Sequence, residues 1–279
     1  MLCLPTLARR PSVLSPQGLH LVRRLDGLPK LAANANLRVI VRAATRTICS
    51  SHDELAEIGS LVAGPVATKT VVIYNGVELA DPLQAARRQA LRLELRIPAN
   101  AAAGAWVAAL DEHKDPLTAI RAVKVARRAG SPVMLLVAGD GPLRPDVERE
   151  VDGDDGIRIL GFTGDVERIL GASDFFVLSS RREGLSFSLL EAMAHGLAPL
   201  VSDARANVEA VGDAGIVFPF GDVGTLAAAL SRVARDAEQR AEMGRRARNR
   251  ATEHFSADEM VRRTRDVYDE ILADRVEQA

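Results

Sequence analysis

The last two thirds of the chain alternate regularly between short, continuous apolar runs and longer amphipathic patterns, and this alternation constrains the fold more than any other feature. The strand-like runs are 104–109, 132–138, 157–160, 174–178, 198–202 and 215–218, and the helical patterns include 115–128, 144–151, 187–195 and 223–235. Continuous apolar strands separated by helices are typical of a parallel sheet that is covered on both faces. With right-handed crossovers, this order predicts a complete doubly wound, Rossmann-like α/β domain over residues 86–256.

The first part of the chain repeats this pattern with fewer elements. Strands are predicted at 11–15, 46–51 and 69–76, and helices at 19–31 and 53–61. These elements predict a half-sized α/β domain over residues 1–85. A stretch rich in Ala and Arg at 77–100 is interpreted as the linker to the second domain, and helical patterns at 237–251 and 257–272 end the chain.

The composition excludes several classes of function. The 36 Lys and Arg residues nearly balance 37 Asp and Glu residues, which disfavours binding of nucleic acid through bulk charge. The two cysteines, Cys3 and Cys49, form no metal or disulfide motif, and no apolar run approaches the roughly 20 residues of a membrane helix. The five histidines have no ligand-like spacing, so no metal site is predicted. We therefore expect a soluble, cytoplasmic protein that does not bind nucleic acid.

The stretch REGLSFSLLEAMAHG places Glu183 after a predicted strand and Glu191 inside the helix that follows. Ligands bind doubly wound domains at the carboxyl ends of the strands, where Glu183 is expected. Gly184 permits a close turn, and the amides at the helix start favour a phosphate. A carboxylate at Glu191 can accept two hydrogen bonds from a sugar diol. From spacing alone, this interpretation stands beside a simpler one in which both acids are solvated surface groups.

The segment from Ser179 to Leu230 closely resembles the donor half of retaining glycosyltransferases of family 4, which have the GT-B fold. Its core is their E-x7-E motif followed by EAMAxG, and the supporting pieces occur in the family's order: VAALDEHKDP, LLVAGDGP, ILGFTGDV, ASDFFVLSS and HFSADEMVRRTRDVYDEIL. The segments CSSHDELAEI and VVIYNGVE similarly resemble the end of the family's acceptor domain. The resemblance covers most of the chain and implies that the helix at 257–279 packs back toward the N-terminal domain.

The resemblance implies transfer of a sugar from a nucleotide-sugar, such as a UDP- or GDP-sugar, with retention of anomeric configuration and without metal or other cofactor. It assigns Lys114 to the diphosphate, Glu183 to the transferred sugar and Glu191 to the ribose. The other donor-binding positions are Gly139, Gly141, Phe162, Thr163, Gly184, Leu185, Ser186, Phe187 and Arg205. The implied acceptor is a glycan, a lipid or a small molecule, and a lipid acceptor would require peripheral contact with a membrane.

Departures from the family pattern keep other interpretations open. Ala108 and Ala109 stand where the family often has Gly-Arg, and Arg205 and Ala206 replace a usual Gly-Gly pair, so Arg205 either replaces the lost cation or obstructs the pocket. The N-terminal domain is interpreted as truncated, and three explanations stay open: the start of the sequence is misassigned, a protein partner covers the incomplete sheet, or the remaining strands form a reduced domain. The alternative function is a degenerate, non-catalytic glycosyltransferase-like subunit that binds a nucleotide-sugar or a partner. A nucleotide-sugar epimerase of the same fold is a further alternative.

Overall fold

A computed structural model describes residues 11–16, 27–62, 68–79 and 85–276. These residues form two compact units, which we call the small unit (Met1–Gly76 with Phe255–Ala279) and the large unit (Val77–His254). Cys3 and most of the helix predicted at 19–31 lie outside the described residues. No helix in the described part of the chain is long and apolar enough to cross a membrane.

The described elements follow one another in an alternating order. They are β1 (Val13–Leu14), α1 (Gly27–Ala43), β2 (Arg46–Cys49), α2 (His52–Leu61), β3 (Thr70–Val72), α3 (Ala85–Glu94), β4 (Ala102–Val107), α4 (Pro116–Arg128), β5 (Val133–Ala138), α5 (Arg144–Val151), β6 (Ile157–Gly161), α6 (Val166–Ala172), β7 (Phe175–Leu178), α7 (Phe187–Ala194), β8 (Ala198–Ser202), α8 (Arg205–Val211), β9 (Ile216–Phe218), α9 (Val223–Arg235), α10 (Ala237–His254) and α11 (Ala257–Val276).

The large unit is built on a six-stranded sheet in the order β6-β5-β4-β7-β8-β9, and all its pairings are parallel. This is the strand order of a doubly wound Rossmann-like domain, in which the chain direction across the sheet reverses between the first and fourth strands. The predicted fold class is thereby confirmed for this unit. The reversal lies between the neighbouring strands β4 and β7, and there a ligand site is expected.

The core of the large unit explains why its strands read as continuous apolar runs. Every residue of β5 and β7 is buried, because helices cover both faces of the sheet. Trp106 in β4 is fully buried and its indole N–H donates to the Ser179 hydroxyl at 3.1 Å. Gly104 lets the neighbouring strand approach, since a Cβ there would lie 2.1 Å from the ring of Phe175.

The stretch predicted as a linker contains the helix α3, which is a correction to the sequence analysis. Among its side chains Leu91 is buried, and two arginines attach the helix to the large unit. Arg88 and Arg92 donate to the two carboxylate oxygens of Asp174 at 2.8 and 2.9 Å, and the amide of Ala103 donates to the same carboxylate at 2.7 Å. These contacts are distant in sequence, so the local pattern gave no sign of a packed helix.

The small unit carries a parallel sheet with the order β1-β2-β3 among its described residues. Because side chains alternate across a strand, Cys49 packs with Val41 and Ile58 on one face, and Ile48 packs on the other. That second cluster includes Val267 and Ile271 of α11. The sheet is therefore covered by α1 and α2 on one side and by the last helix of the chain on the other. The predicted truncation of this domain stays a prediction.

The helix α1 runs well beyond the predicted limit at residue 31. Its second half contains the β-branched run Val39, Ile40 and Val41, which locally favours a strand. Val41 and Leu37 nevertheless pack into the cluster around Ile58, and this burial stabilises the helix.

Candidate functional site

The loops that follow β4, β5, β6, β7 and β8 lie at one edge of the large sheet, because these strands are parallel. The sequence analysis assigned site residues to all five loops or to the helix that follows them. Lys114 comes after β4, Gly139 after β5 and Phe162 after β6. Glu183 follows β7, and Arg205 follows β8 as the first residue of α8. The fold thus brings the predicted residues to the edge where doubly wound domains bind ligands.

Lys114 and Glu183 form an ion pair across the reversal point between β4 and β7. The ammonium nitrogen of Lys114 lies 2.6 and 2.7 Å from the two carboxylate oxygens of Glu183. The exposed fraction is 5% for the Glu183 side chain and 23% for the Lys114 side chain. A buried carboxylate of this kind is strongly unfavourable without a partner. The two residues assigned to separate parts of a ligand are therefore each other's partners in this structure.

The backbone around Lys114 is fixed by side chains that the sequence analysis did not single out. A carboxylate oxygen of Asp111 accepts hydrogen bonds from the amides of His113 and Lys114, both at 2.9 Å. The Ser179 hydroxyl lies 2.6 Å from the carbonyl oxygen of Asp115 and 3.0 Å from that of Lys114. Because Ser179 follows β7, these bonds join the loops after β4 and β7. The one available sequence signal was that polar residues directly follow an apolar strand.

Glu183 has a second support in a group of buried polar residues. The Ser180 hydroxyl donates to the Glu183 carboxylate, and the Ser202 hydroxyl donates to the Ser180 carbonyl. The side-chain amide of Asn207 donates to the Ser202 hydroxyl at 3.3 Å. Ser180, Ser202 and Asn207 are completely buried. Ser180 and Ser202 lie at strand ends and Asn207 lies in α8, and these sequence positions gave no indication that the three residues meet.

Gly139 and Gly141 are required for the close approach of two loops. Gly139 has φ +145°, and a Cβ there would lie 1.8 Å from the carbonyl oxygen of Ala108. A Cβ at Gly141 would lie 2.6 Å from the carbonyl oxygen of Leu110. Distances this short exclude any side chain. The glycines thus hold the loops after β4 and β5 together, in addition to placing bare backbone at the edge.

A cavity of about 370 Å³ lies between the loops after β4, β5 and β6. Its wall is largely apolar and is formed by Val107, Ala108, Ala109, Ala138, Gly139, Asp140, Phe162, Thr163 and Val166. The ring of Phe162 is 84% exposed at its border. Because Ala109 stands where the resembled family often has arginine, this wall carries a methyl group instead of a cation.

Glu191 differs from Glu183 in having no charged group bonded to it. It is half-buried in α7, and its side chain accepts no hydrogen bond from the residues that the structure describes. Burial raises the pKa of Glu191, and the neighbouring His195 partly opposes the shift. A desolvated carboxylate without a hydrogen-bond donor is a good acceptor for ligand hydroxyls.

The start of α7 lies between the two glutamates in sequence. Ser186 is its N-cap, but its side chain bonds the Ser188 hydroxyl at 3.1 Å and makes no capping bond. Leu185 is buried, and Phe187 is about half exposed. Gly184 occupies the turn that leads from Glu183 into this helix start. In sequence, the first amides of α7 and the positive end of its dipole therefore lie within a few residues of both glutamates.

The structure places Arg205 as an exposed residue at the start of α8. The following Ala206 is buried, so of the two residues that replace the family's glycine pair the arginine is the one at the surface. Within the described part of the chain, no three His, Cys, Asp or Glu side chains cluster as a metal ion would require.

The fold and this edge define a class: a doubly wound α/β protein with a lysine–glutamate ion pair at its reversal point. Comparison with known proteins gives a family model that matches this domain. Residues 103–236 match the family model described as glycosyl transferases group 1. This match spans just under half of the chain, so the large unit is similar to the group 1 glycosyltransferases, and its fold class is that of the GT-B enzymes, as the sequence motifs predicted.

Two curated relatives and one solved structure illustrate the similarity. The chain is 29% identical over 245 residues to the UDP-Gal:alpha-D-GlcNAc-diphosphoundecaprenol alpha-1,3-galactosyltransferase of Escherichia coli, covering 84% of this chain and 62% of that protein. It is 31% identical over 146 residues to the N-acetyl-alpha-D-glucosaminyl L-malate synthase of Bacillus anthracis, covering 50% of this chain and 38% of that one. The chain thus spans less than two thirds of either relative's length.

The solved structure is that of Anabaena HepE in complex with UDP. It matches with a TM-score of 0.82 at 21% sequence identity, over 95% of this chain and 74% of that one. At this level of identity the match concerns the fold.

Proposed function

We propose that this protein transfers a sugar from a nucleotide-sugar to an acceptor with retention of anomeric configuration. The observation that carries the proposal is the Lys114–Glu183 ion pair at the reversal point of the large sheet. This pair supports the proposal because it joins one cation, suited to a phosphate, to one buried carboxylate, suited to the hydroxyls of a sugar. Glu191, without a hydrogen-bond donor from the described residues, follows in the next helix. The names of the relatives and the UDP-bound state of Anabaena HepE support a nucleotide-sugar as the donor.

Each charged residue has a distinct role in this proposal. Lys114 leaves Glu183 and binds the diphosphate, where negative charge develops as the bond to the sugar breaks. Glu183 then accepts hydrogen bonds from hydroxyls of the transferred sugar, and Glu191 accepts them from the ribose. The amides at the start of α7 bind phosphate oxygens.

The proposed chemistry needs no side-chain base and no metal ion. The bond between the anomeric carbon and the phosphate oxygen breaks, and the acceptor oxygen attacks the same face of the sugar. The acceptor proton passes to the leaving phosphate, so atoms and charge balance. Lys114 supplies the positive charge that a metal ion would otherwise provide.

The apolar cavity beside Phe162 is proposed to take the base. Its wall of backbone and small side chains leaves room for a flat ring, and the exposed Phe162 ring is placed to cover it. The acceptor is a glycan, a lipid or a small molecule. The diphosphoundecaprenol-linked acceptor in the name of the Escherichia coli relative favours a lipid-linked sugar.

Calorimetric titration with UDP, GDP and ADP tests the donor site. We expect micromolar binding of one nucleotide and its loss in Glu191→Gln. Glu148→Gln is the matched control, because Glu148 is an exposed residue of α5 that pairs with Arg144. The nucleotide that binds then selects the sugar donors for a hydrolysis assay, which we expect to proceed in the presence of EDTA. A folded chain that binds none of the three nucleotides would refute the proposal.

One observation favours the second candidate, a subunit that binds the nucleotide-sugar but does not transfer it. The cavity wall carries Ala108 and Ala109 where an active relative would often supply a second cation to the diphosphate. Nucleotide binding with neither hydrolysis nor transfer, unchanged when Ala109 is replaced by arginine, would establish this alternative. Activity gained in Ala109→Arg would show that the missing cation limits catalysis.

A further inference from the structure

The polar group behind Glu183 consists of buried side chains that are joined by consecutive hydrogen bonds. Ser180, Ser202 and Asn207 have no exposed surface, and Glu183 is 7% exposed. The Asn207 amide donates to Ser202, Ser202 donates to the Ser180 carbonyl, and Ser180 donates to Glu183. These bonds connect the ends of β7 and β8 with α8. The side-chain oxygen of Asn207 has no partner among the described residues, but the bonds at Ser180 and Ser202 fix those two side chains.

In the proposed function Lys114 turns its N–H donors from Glu183 to the diphosphate, and each donor that it moves weakens its contact with the Glu183 carboxylate. It now contacts both oxygens, at 2.6 and 2.7 Å. When Lys114 moves to a phosphate, the Ser180 hydroxyl becomes the remaining side-chain partner of Glu183 among those that the structure describes. A carboxylate left alone in a buried position either takes up a proton or moves toward solvent. Both outcomes would remove it from a sugar hydroxyl.

We infer that Ser180 is a positioning residue, whose hydroxyl holds the Glu183 carboxylate toward the donor sugar while Lys114 is engaged with the diphosphate. Ser202 serves the same purpose one step further back, because it fixes the backbone carbonyl of Ser180. This inference rests on the proposed function, in which Glu183 contacts the sugar and Lys114 contacts the phosphates. It adds that binding of the donor sugar depends on Ser180, whereas binding of the nucleotide does not.

The test compares a nucleotide with its sugar conjugate. Binding of UDP and UDP-glucose, GDP and GDP-mannose, and ADP and ADP-glucose is measured for the wild-type chain, and the pair that binds is carried forward. In Ser180→Ala we expect the affinity for the sugar conjugate to fall roughly tenfold relative to the affinity for the nucleotide alone. Ser180→Cys keeps the shape of serine with a weaker donor, so an intermediate ratio is expected.

A double-mutant cycle with Glu183→Gln separates positioning from a general structural effect. If Ser180 acts through Glu183, adding Ser180→Ala to Glu183→Gln should not change the ratio of the affinity for the sugar conjugate to the affinity for the nucleotide any further. Equal losses for nucleotide and conjugate in both Ser180 variants would overturn the inference, as would an additive effect in the cycle. A folded wild-type chain that binds none of the six compounds overturns the proposed function as well. An unchanged ratio in Ser180→Ala overturns the inference alone.

Discussion

Replacement of Lys114 by methionine should destabilise the large unit, because it leaves the carboxylate of Glu183 buried without its cation. Removing one partner of a buried ion pair costs about 3–5 kcal/mol, whereas an exposed pair contributes about 0–1 kcal/mol. The Glu183 side chain is 5% exposed, but Lys114 is 23% exposed and therefore partly screened by water. Glu183 also keeps the hydrogen bond from Ser180. We expect a loss of about 2–3 kcal/mol, below the full value for a buried pair.

The single tryptophan of the chain, Trp106, makes the loss of stability measurable in the large unit. Trp106 is fully buried, and its indole N–H bonds the same Ser179 hydroxyl that contacts the Lys114 carbonyl. Its fluorescence during urea unfolding therefore reports on the large unit. A loss of about 2–3 kcal/mol should lower the midpoint by roughly 1 M urea.

Three further variants test whether the stability loss in Lys114→Met comes from breaking its buried ion pair with Glu183. Arg121 pairs with Glu150 at 2.9 Å but is half exposed, so Arg121→Met should cost less than about 1 kcal/mol. Glu183→Gln should cost less than Lys114→Met, because the freed ammonium group can reach water. The double variant Lys114→Met/Glu183→Gln should be more stable than the sum of the single losses predicts. A Lys114→Met protein within about 0.5 kcal/mol of wild type would refute the view that this pair is buried and coupled.

Three other residues give separate predictions. Because burial raises the pKa of Glu191, its ionisation costs stability, and this cost grows as the pH rises from about 4.5 through the raised pKa. Glu191→Gln should therefore raise the free energy of unfolding at pH 7 and change it little at pH 4, as measured by urea unfolding. Gly139→Ala should cost about 3 kcal/mol in the same assay, since its Cβ would lie 1.8 Å from a carbonyl oxygen. Burial raises the pKa of the Cys49 thiol to about 12. In a Cys3→Ser background, Cys49 should react with a disulfide reagent at pH 8 at least roughly 100-fold more slowly in the native state than in urea.

Each of these predictions has a result that contradicts it. A Glu191→Gln stability difference that is the same at both pH values would show that the carboxylate is not desolvated. Gly164 has open space around its Cβ position, so Gly164→Ala serves as the control for Gly139→Ala, and equal effects would refute the close-approach argument. Rapid native-state modification of Cys49 would mean that the small unit opens on the timescale of the reaction.

The architecture of the large unit was predictable because its central strands, β4, β5, β7 and β8, are buried on both faces. Such strands are continuous apolar runs, and their predicted limits differ from the observed ones by two residues or fewer. The helices α3, α6 and α8 were not predicted. In α3 the stabilising contacts are Arg88 and Arg92 with Asp174, which lies more than 80 residues away in sequence. A local pattern does not contain such information.

The candidate site was predictable in its location but not in its bonding. Glu183, Lys114 and the glycines were found by motif resemblance and by their positions after strands, which place them at one edge. The pairing of Lys114 with Glu183 joins residues 69 positions apart. The support from Ser180 depends on how the ends of β7 and β8 pack. These contacts require the register of neighbouring strands, which a single sequence does not specify.

The ion pair also bears on which ligands the site should select. Under the proposed function, a ligand with a diphosphate gives Lys114 a new anionic partner in exchange for Glu183, so one electrostatic interaction replaces another. A nucleoside without phosphates offers no such exchange, and it leaves the Lys114–Glu183 pair intact. Its binding then depends on Glu191 and the apolar cavity alone. The preference for a nucleoside diphosphate over the nucleoside should therefore be stronger in wild type than in the Lys114→Met variant, where no exchange can occur. Comparing UDP with uridine, or the corresponding pair for the preferred base, in wild type and Lys114→Met would measure that difference directly.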